Sequence, residues 1–313
     1  MRRSAPPLLA LAWLAACTPM ESDGPRVGDL PAVAPRPAPA GPVDTPDSAK
    51  VRRYYAQVQA AMLSRGLMRT DGGGPDTPYD ARILARNFIR IALYDEYTPG
   101  QTGYIARNEK DRLRRWDTPV AMSLQFGPTI PAAEQATDRA RVAAYDARLA
   151  RLTGLPIRLG APEQANFRVF VLNEDERRAF GPELRRIVPG ISDMAVRTVT
   201  DLPLSTYCFV MSVSAPGQYT FGQAIAVIRG ELPDLMREGC YHEELAQGLG
   251  PSNDSPAARP SIFNDDQEFL YLTTQDEHIL RMLYDPRLTP GMTVEQAEPI
   301  VQELARAEMG EHA

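Results

Sequence analysis

The chain has 313 residues, a formal net charge of −6 and three cysteines. A chain of this length can hold one large domain or two modest ones, with a core that needs no disulfide or metal to be stable. The negative charge, without a basic patch interleaved with aromatic residues, argues against nucleic acid as a partner. The sequence has no Gly-x-Ser-x-Gly elbow, phosphate-binding loop or dinucleotide fingerprint, so the enzyme classes built on those motifs are excluded.

The first residues have the pattern of an export signal. Two arginines precede the apolar run 7–16, which is too short to remain as a membrane span. The run ends in Leu-Ala-Ala-Cys, the pattern of bacterial lipoprotein signals, so we expect a signal peptide over residues 1–16 and acylation of Cys17. Thr18 in place of Asp indicates the outer membrane. The predicted location is the bacterial cell envelope, lipid-anchored and facing the periplasm; the alternative is an ordinary secretion signal with an incidental cysteine.

The next two segments differ in composition. Residues 17–47 are rich in Pro, Ala and Gly and are predicted to form a disordered, extended tether. Residues 48–110 are predicted to form a helical N-terminal segment, because apolar residues recur at three- and four-residue spacing from Ser48 and again over 79–97. A Gly- and Pro-rich stretch separates the two helices.

Residues 111–290 are predicted to form one α/β domain, because short β-rich runs alternate with long helical patterns. The charged run 174–186 is predicted to be a surface helix or loop, and residues 291–313 a helical tail. A capping box at Thr274–Glu277 is expected to open the helix that closes the domain. The predicted strands are 120–126, 156–159, 167–172, 206–213 and 224–228, and the long helix is 131–153.

The most informative spacing lies within residues 231–285. Zinc peptidases use HExxHxxGxxH, in which two histidines four residues apart on one helix face bind an ion and the glutamate acts as general base. Here Glu243 and Gln247 occupy the two ligand places, Glu244 the general-base place and Asn253 the third ligand place. His242 is one residue out of register, so we expect it to pack or to face solvent.

This stretch resembles the C-terminal half of the metzincin clan of zincin-fold metallopeptidases. It is more similar still to a family of uncharacterised lipoproteins and secreted proteins of Gram-negative bacteria, a domain of unknown function with an EExxQxxG signature. Ser261, Ile262 and Phe263 stand where metzincins have their Met-turn, with Phe263 at the methionine position. The resemblance implies a zincin-like fold over roughly 113–285, with a mixed twisted sheet, long helices and a preceding helical segment. It also implies an edge strand along which peptides bind.

Cys208 and Cys240 are the cysteines that remain if Cys17 is acylated. In an oxidising compartment they are predicted to form a disulfide, closing a loop of about 33 residues and adding roughly 3–4 kcal/mol of stability in the chain-entropy model. The alternative is a pair of buried apolar thiols.

Three functions follow from these patterns. The first is a catalytically degenerate pseudo-peptidase that needs no cofactor and binds an extended peptide or an envelope protein, with a lipid anchor in the membrane. The second is an active metal-dependent hydrolase with Glu244 as general base and an oxygen-rich site for a divalent ion such as calcium or magnesium. The third is a purely structural envelope lipoprotein.

Overall fold

The computed structural model describes residues 44–99 and 104–311. The predicted signal peptide, the acylated Cys17 and most of the tether lie outside the described residues. Within the described ranges, no helix has both the length and the apolar composition that a membrane crossing requires.

The N-terminal segment contains two helices and a strand pair. Helix α1, Pro46–Ser64, begins at the N-cap Thr45, and helix α2, Ala81–Ala92, begins where the Asp80 carboxylate accepts a hydrogen bond from the Ile83 amide (2.7 Å). Strands β1, Tyr94–Pro99, and β2, Tyr104–Lys110, pair antiparallel. The predicted helix over 79–97 is therefore wrong beyond residue 92, because the helical apolar spacing stops there and the chain pairs with a partner strand instead.

Five strands form the main sheet, which confirms the predicted mixed α/β class. In space the order is β4, β3, β5, β7, β6, with all neighbours parallel except the antiparallel edge strand β6. The parallel strands are rich in apolar residues because helices cover both faces of the sheet. The strands are β3 (Val120–Phe126), β4 (Ile157–Leu159), β5 (Phe167–Leu172), β6 (Cys208–Ser214) and β7 (Phe221–Arg229).

One face of the sheet carries the main core. Helix α3, Ala132–Thr153, and helix α7, Asp234–Gln247, pack there, and α7 contacts α3 and the two strands β6 and β7. The disulfide between Cys208 and Cys240 ties the edge strand to α7, with their Cα atoms 5.9 Å apart. The predicted disulfide is thus confirmed, and the alternative of two thiols is wrong.

The other face is covered by three short helices: α4, Glu174–Arg178; α5, Gly181–Ile187; and α6, Asp193–Thr200. The prediction that the charged run 174–186 lies on the surface is wrong for two of its charged side chains, since Glu174 and Arg177 are buried. Gly181 and Leu184 are buried as well. The Glu174 carboxylate accepts hydrogen bonds from Arg177 (2.9 Å) and Arg229 (2.5 Å). Buried charges are tolerated where they are paired in this way.

Two further helices close the domain. Helix α8, Thr274–Leu283, begins at a capping box formed by Thr273 and Asp276, one residue earlier than the Thr274–Glu277 box predicted. Helix α9, Val294–Glu308, follows it and packs against α2 and α8. The N-terminal segment is therefore integrated with the C-terminal helices.

Candidate functional site

A cleft of about 1000 Å³ separates the edge strand β6 from the C-terminal half of α7. It is lined by the strand and the segment that precedes it, by α7 side chains, by the end of α1 and by two loops that follow α7 in sequence. The polar and charged lining residues that matter below are Arg65, Arg114, Asp201, Ser212, Glu243, Glu244, Gln247, Asp254, Asp265 and Asp266.

The outer side of β6 offers backbone groups to this cleft. Tyr207, one residue before the strand, accepts a hydrogen bond from the Arg229 amide (3.3 Å), and antiparallel pairs alternate between bonded and non-bonded positions. The N–H and C=O groups of Cys208, Val210 and Ser212 therefore point away from β7. Among residues 44–99 and 104–311, no backbone hydrogen bond reaches this outer edge.

The last turn of α7 brings three of the predicted site residues together. Glu243, Glu244 and Gln247 all line the cleft, because positions three and four apart share one helix face. Glu244 is 4% exposed and Gln247 9% exposed, whereas Glu243 is half-buried. The carboxylate oxygens of Glu243 and Glu244 lie within 4.8 Å of each other and of the Cys208 sulfur, so this acidic pair sits at the start of the edge strand.

Glu243 also belongs to a second acidic group. Carboxylate oxygens of Glu243, Asp254 and Asp265 lie within 4.8 Å of one another, and the Gln247 amide donates to Asp254 (3.0 Å). Although the Asp265 residue as a whole is exposed, the cleft walls remove part of the hydration of its carboxyl group, and this desolvation raises the pKa of Asp265. A hydrogen bond with Asp254 opposes the rise. Asp265 has a left-handed backbone (φ 63°), a conformation that aspartate tolerates better than most residues.

Asn253, predicted to hold the third ligand place, lies outside the cleft. Its side-chain amide donates to the Arg90 carbonyl (2.6 Å) and its backbone amide to the Ile91 carbonyl (3.0 Å). These carbonyls belong to the last turn of α2, where a helix has no partners of its own for them. Asp254 reaches the cleft instead. Sequence reasoning missed Asp254, to which only the one-residue distance from Asn253 could have pointed. It predicts that Asn264, Asp265 and Asp266 are turn residues, with calcium binding by that cluster as the alternative.

His242 was predicted either to pack or to face solvent, and it packs. Its ring stacks between the rings of Tyr145 and Tyr271, at centroid distances of 4.1 and 4.4 Å. The Leu272 amide donates to its Nδ1 atom (3.0 Å), and burial lowers the pKa of His242 to about 3. The imidazole is therefore neutral and structural.

The turn at residues 261–263 is held by one buried carboxylate. Asp276 accepts hydrogen bonds from the Ser261 hydroxyl (2.5 Å), the Ile262 amide (3.0 Å) and the Thr273 amide (2.9 Å). Burial raises the pKa of Asp276, and these hydrogen bonds oppose the rise. Phe263 is fully buried in the main core. The turn thus anchors the loop that carries Asp265 to the first turn of α8.

The C-terminal end of α7 is held by side chains from three other elements. The Gly248 carbonyl accepts hydrogen bonds from the Trp116 indole (2.8 Å) and the Ser212 hydroxyl (3.3 Å), and the Leu249 carbonyl accepts one from the Tyr284 hydroxyl (2.7 Å). Gly250 has φ 137°, and a Cβ there would lie 2.6 Å from the Arg114 carbonyl oxygen. A glycine is required at this point for the chain to leave the helix.

The ligand atoms that the cleft side chains offer decide which metal ions the cleft could hold. Zinc sites in proteins are built mainly from histidine nitrogen and thiolate sulfur. No histidine lines the cleft among the described residues, and its cysteine, Cys208, is in a disulfide. The residues present therefore do not fit zinc. The carboxylates of Glu243, Asp254 and Asp265 match the oxygen donors that calcium or magnesium takes.

Comparison with known proteins shows that a protein-family model matches most of the chain. No curated protein and no solved structure matches the chain significantly. The matched region of the family model, residues 81–303, begins at α2 and includes the sheet, α7 and α8. Its start at α2 agrees with the packing of that helix against the C-terminal helices. The chain belongs to the family described as "Protein of unknown function (DUF2927)".

Proposed function

We propose that this protein is a zincin-like pseudo-peptidase that binds an extended polypeptide without cutting it. The observation that carries the proposal is the outer edge of β6, whose backbone groups face a cleft of about 1000 Å³. An extended chain can pair with such an edge and so extend the sheet by one strand.

The topology supports the zincin-like part of the proposal. The sheet has four parallel strands and an antiparallel edge strand beside the cleft, and the helix with the EExxQ spacing packs against that edge. The turn at 261–263 and the helix α8 follow in the order expected for the C-terminal half of a metzincin. Phe263, at the position of the Met-turn methionine, is fully buried.

The side-chain chemistry supports binding over cleavage. At the two histidine places stand Glu243 and Gln247, and the Gln247 amide is engaged with Asp254 (3.0 Å). Without imidazoles the cleft cannot hold zinc in the way that hydrolysis requires. Glu244, at the general-base place, therefore lacks the metal-bound water on which it would act.

Strand addition is tested with a fluorescein-labelled octapeptide of alternating valine and serine. Val210→Pro removes one outward N–H of β6, and proline is tolerated at such positions of an edge strand. We expect its affinity for the peptide to fall by about tenfold or more, since one backbone hydrogen bond is lost and the proline ring obstructs pairing. Fluorescence anisotropy measures the affinity.

Val210→Ala is the matched control, because it shortens the same side chain and keeps the N–H. Its affinity should stay within about threefold of wild type, and both variants should show wild-type circular dichroism. Equal affinities of the proline and alanine variants would contradict strand addition. Mass spectrometry should find the peptide intact after long incubation with zinc or calcium present.

The acidic group supports a second candidate, an active metal-dependent hydrolase. Glu243, Asp254 and Asp265 would hold a calcium or magnesium ion that polarises a substrate carbonyl, with Glu244 as the proton acceptor. Isothermal titration with calcium, followed by the peptide digest, separates the candidates. Stoichiometric binding together with cleavage favours the hydrolase. Absence of both peptide and metal binding favours a structural lipoprotein.

The proposed location is the cell envelope, with a lipid anchor at Cys17, and it rests on the Leu-Ala-Ala-Cys pattern. Radiolabelled palmitate should enter the protein, and Cys17→Ala should abolish the labelling. Label that persists in the variant would contradict the anchor.

A further inference from the structure

The edge strand β6 is apolar on the side that faces away from α7. Successive side chains of a strand point to opposite faces of the sheet, and the disulfide places Cys208 on the α7 face. Phe209, Met211 and Val213 therefore share the other face. Phe209 and Met211 pack there against the second apolar cluster, which includes Phe170 and lies beneath the three short helices α4 to α6.

This apolar row is covered on one side and open on the other. Toward β7, Phe209 and Met211 lie opposite Val227 and Ile225, which are 1% and 0% exposed. Toward the cleft, Phe209 and Met211 are only half-buried and form part of its lining. Val213 is 37% exposed. The second apolar cluster therefore ends at an incompletely covered strand, on the same edge that offers free backbone groups.

A chain paired with β6 would lie about 4.8 Å from it and would point every second side chain to this apolar face. Those side chains would be the cross-strand neighbours of Phe209, Met211 and Val213. Apolar cross-strand pairs stabilise a sheet, and here they would extend the second apolar cluster by one strand. The other set of side chains would face α7.

We propose that the ligand is a separate polypeptide segment with apolar side chains at every second position, which pack over Phe209, Met211 and Val213. This rests on the proposed strand addition and adds the sequence pattern that the cleft selects. Strand pairing supplies backbone hydrogen bonds common to any sequence. The apolar row supplies specificity and fixes the pairing register, because a shift of one residue turns the apolar set to the wrong face.

Two other occupants fit less well. Residues 18–43 of the chain contain seven prolines, and no stretch between them is longer than five residues, whereas β6 has seven. Each proline lacks the N–H that strand pairing uses. A second copy of the protein would bring its own sheet and helices with its edge strand, and a cleft of about 1000 Å³ holds a single extended segment.

The test uses the full-length protein in a non-ionic detergent and three fluorescein-labelled octapeptides. The first alternates valine and serine, and the second alternates threonine and serine. Threonine has nearly the shape of valine and also favours strands, so only the apolar character changes. We expect fluorescence anisotropy to show about tenfold tighter binding of the valine peptide.

The third peptide has the composition of the first in the order Val-Val-Ser-Ser-Val-Val-Ser-Ser. It is equally apolar overall, but it cannot place valine at consecutive positions of one face. It should bind at least about threefold more weakly than the alternating valine peptide. Equal binding of these two peptides would contradict the proposed pattern, because the cleft would then respond to apolar content alone.

The double change Met211→Thr and Val213→Thr should reduce the valine preference to less than about twofold, with wild-type circular dichroism. Val213→Thr alone, at an exposed position where the core is not at risk, should also reduce it. Leu63→Thr is the matched control, since Leu63 is 47% exposed and does not line the cleft. It should leave the preference unchanged.

The outcomes separate the two proposals. Equal affinities for the valine and threonine peptides would overturn the apolar pattern, while a loss of binding of both in Val210→Pro would leave strand addition standing. A valine preference that survives Val213→Thr and the double change would also overturn the apolar pattern. Failure of every peptide to bind would overturn strand addition itself.

Discussion

Asp146 is the buried carboxyl group whose removal should change the stability of this protein most clearly. It lies on α3, is 2% exposed, and neither of its carboxyl oxygens has a hydrogen-bond partner in the part of the chain that the structure describes. Burial raises the pKa of Asp146 to about 7, from an ordinary value of 3.8. Asp146→Asn replaces it with a neutral side chain of nearly the same shape.

The magnitude follows from that shift. Because the pKa of the folded protein lies above that of the unfolded chain, the contribution of Asp146 to stability is complete below about pH 4 and is lost as the pH rises through about 7. A shift of about 3 pKa units corresponds to about 4 kcal/mol at 1.36 kcal/mol per unit. The asparagine variant has no such loss. Its stability relative to wild type should therefore rise by about 4 kcal/mol between about pH 4 and about pH 8.

Urea unfolding of both proteins at pH values from about 4 to about 8 measures this difference. Other buried carboxyls with raised pKa, such as Asp138 and Glu231, contribute equally to both proteins and cancel in the comparison. Asp117→Asn, which makes the same chemical change at an exposed position, is the control. If the difference between Asp146→Asn and wild type varies by less than about 0.5 kcal/mol over this range, Asp146 is solvated or paired and the reasoning is refuted.

Two further changes test the site. Gly250→Ala places a Cβ 2.6 Å from the Arg114 carbonyl oxygen, at a φ of 137° that alanine avoids. Thermal unfolding should therefore show that the free energy of unfolding falls by about 2 kcal/mol or more. A wild-type melting temperature would contradict this geometry. Glu243→His with Gln247→His restores imidazoles on one helix face beside Asp254, and elemental analysis should find stoichiometric zinc in this variant and not in wild type. Zinc in the wild type, or its absence from a folded variant, would count against the proposed site.

Much of the secondary structure could be predicted because it depends on residues close in sequence. The runs 120–126 and 167–172 are mostly apolar and form largely buried parallel strands, with the predicted bounds. The disulfide could be predicted because two cysteines remain if Cys17 is acylated, and the location proposed for the protein is oxidising. The charged run 174–186 was harder, since only its pairing with Arg229 shows that Glu174 is buried.

Which side chains share the cleft-facing side of α7 follows from the sequence alone. Glu243, Glu244 and Gln247 are brought together by the helical repeat, which depends on local backbone geometry alone. Asp254 and Asp265 join the acidic group, and Asn253 does not, because of contacts that form only in the folded chain. The loop after α7 is oriented by Asn253, which bonds to the last carbonyls of α2, more than 160 residues earlier in the chain. Such a contact satisfies backbone groups of a distant helix, and no spacing within the motif encodes it.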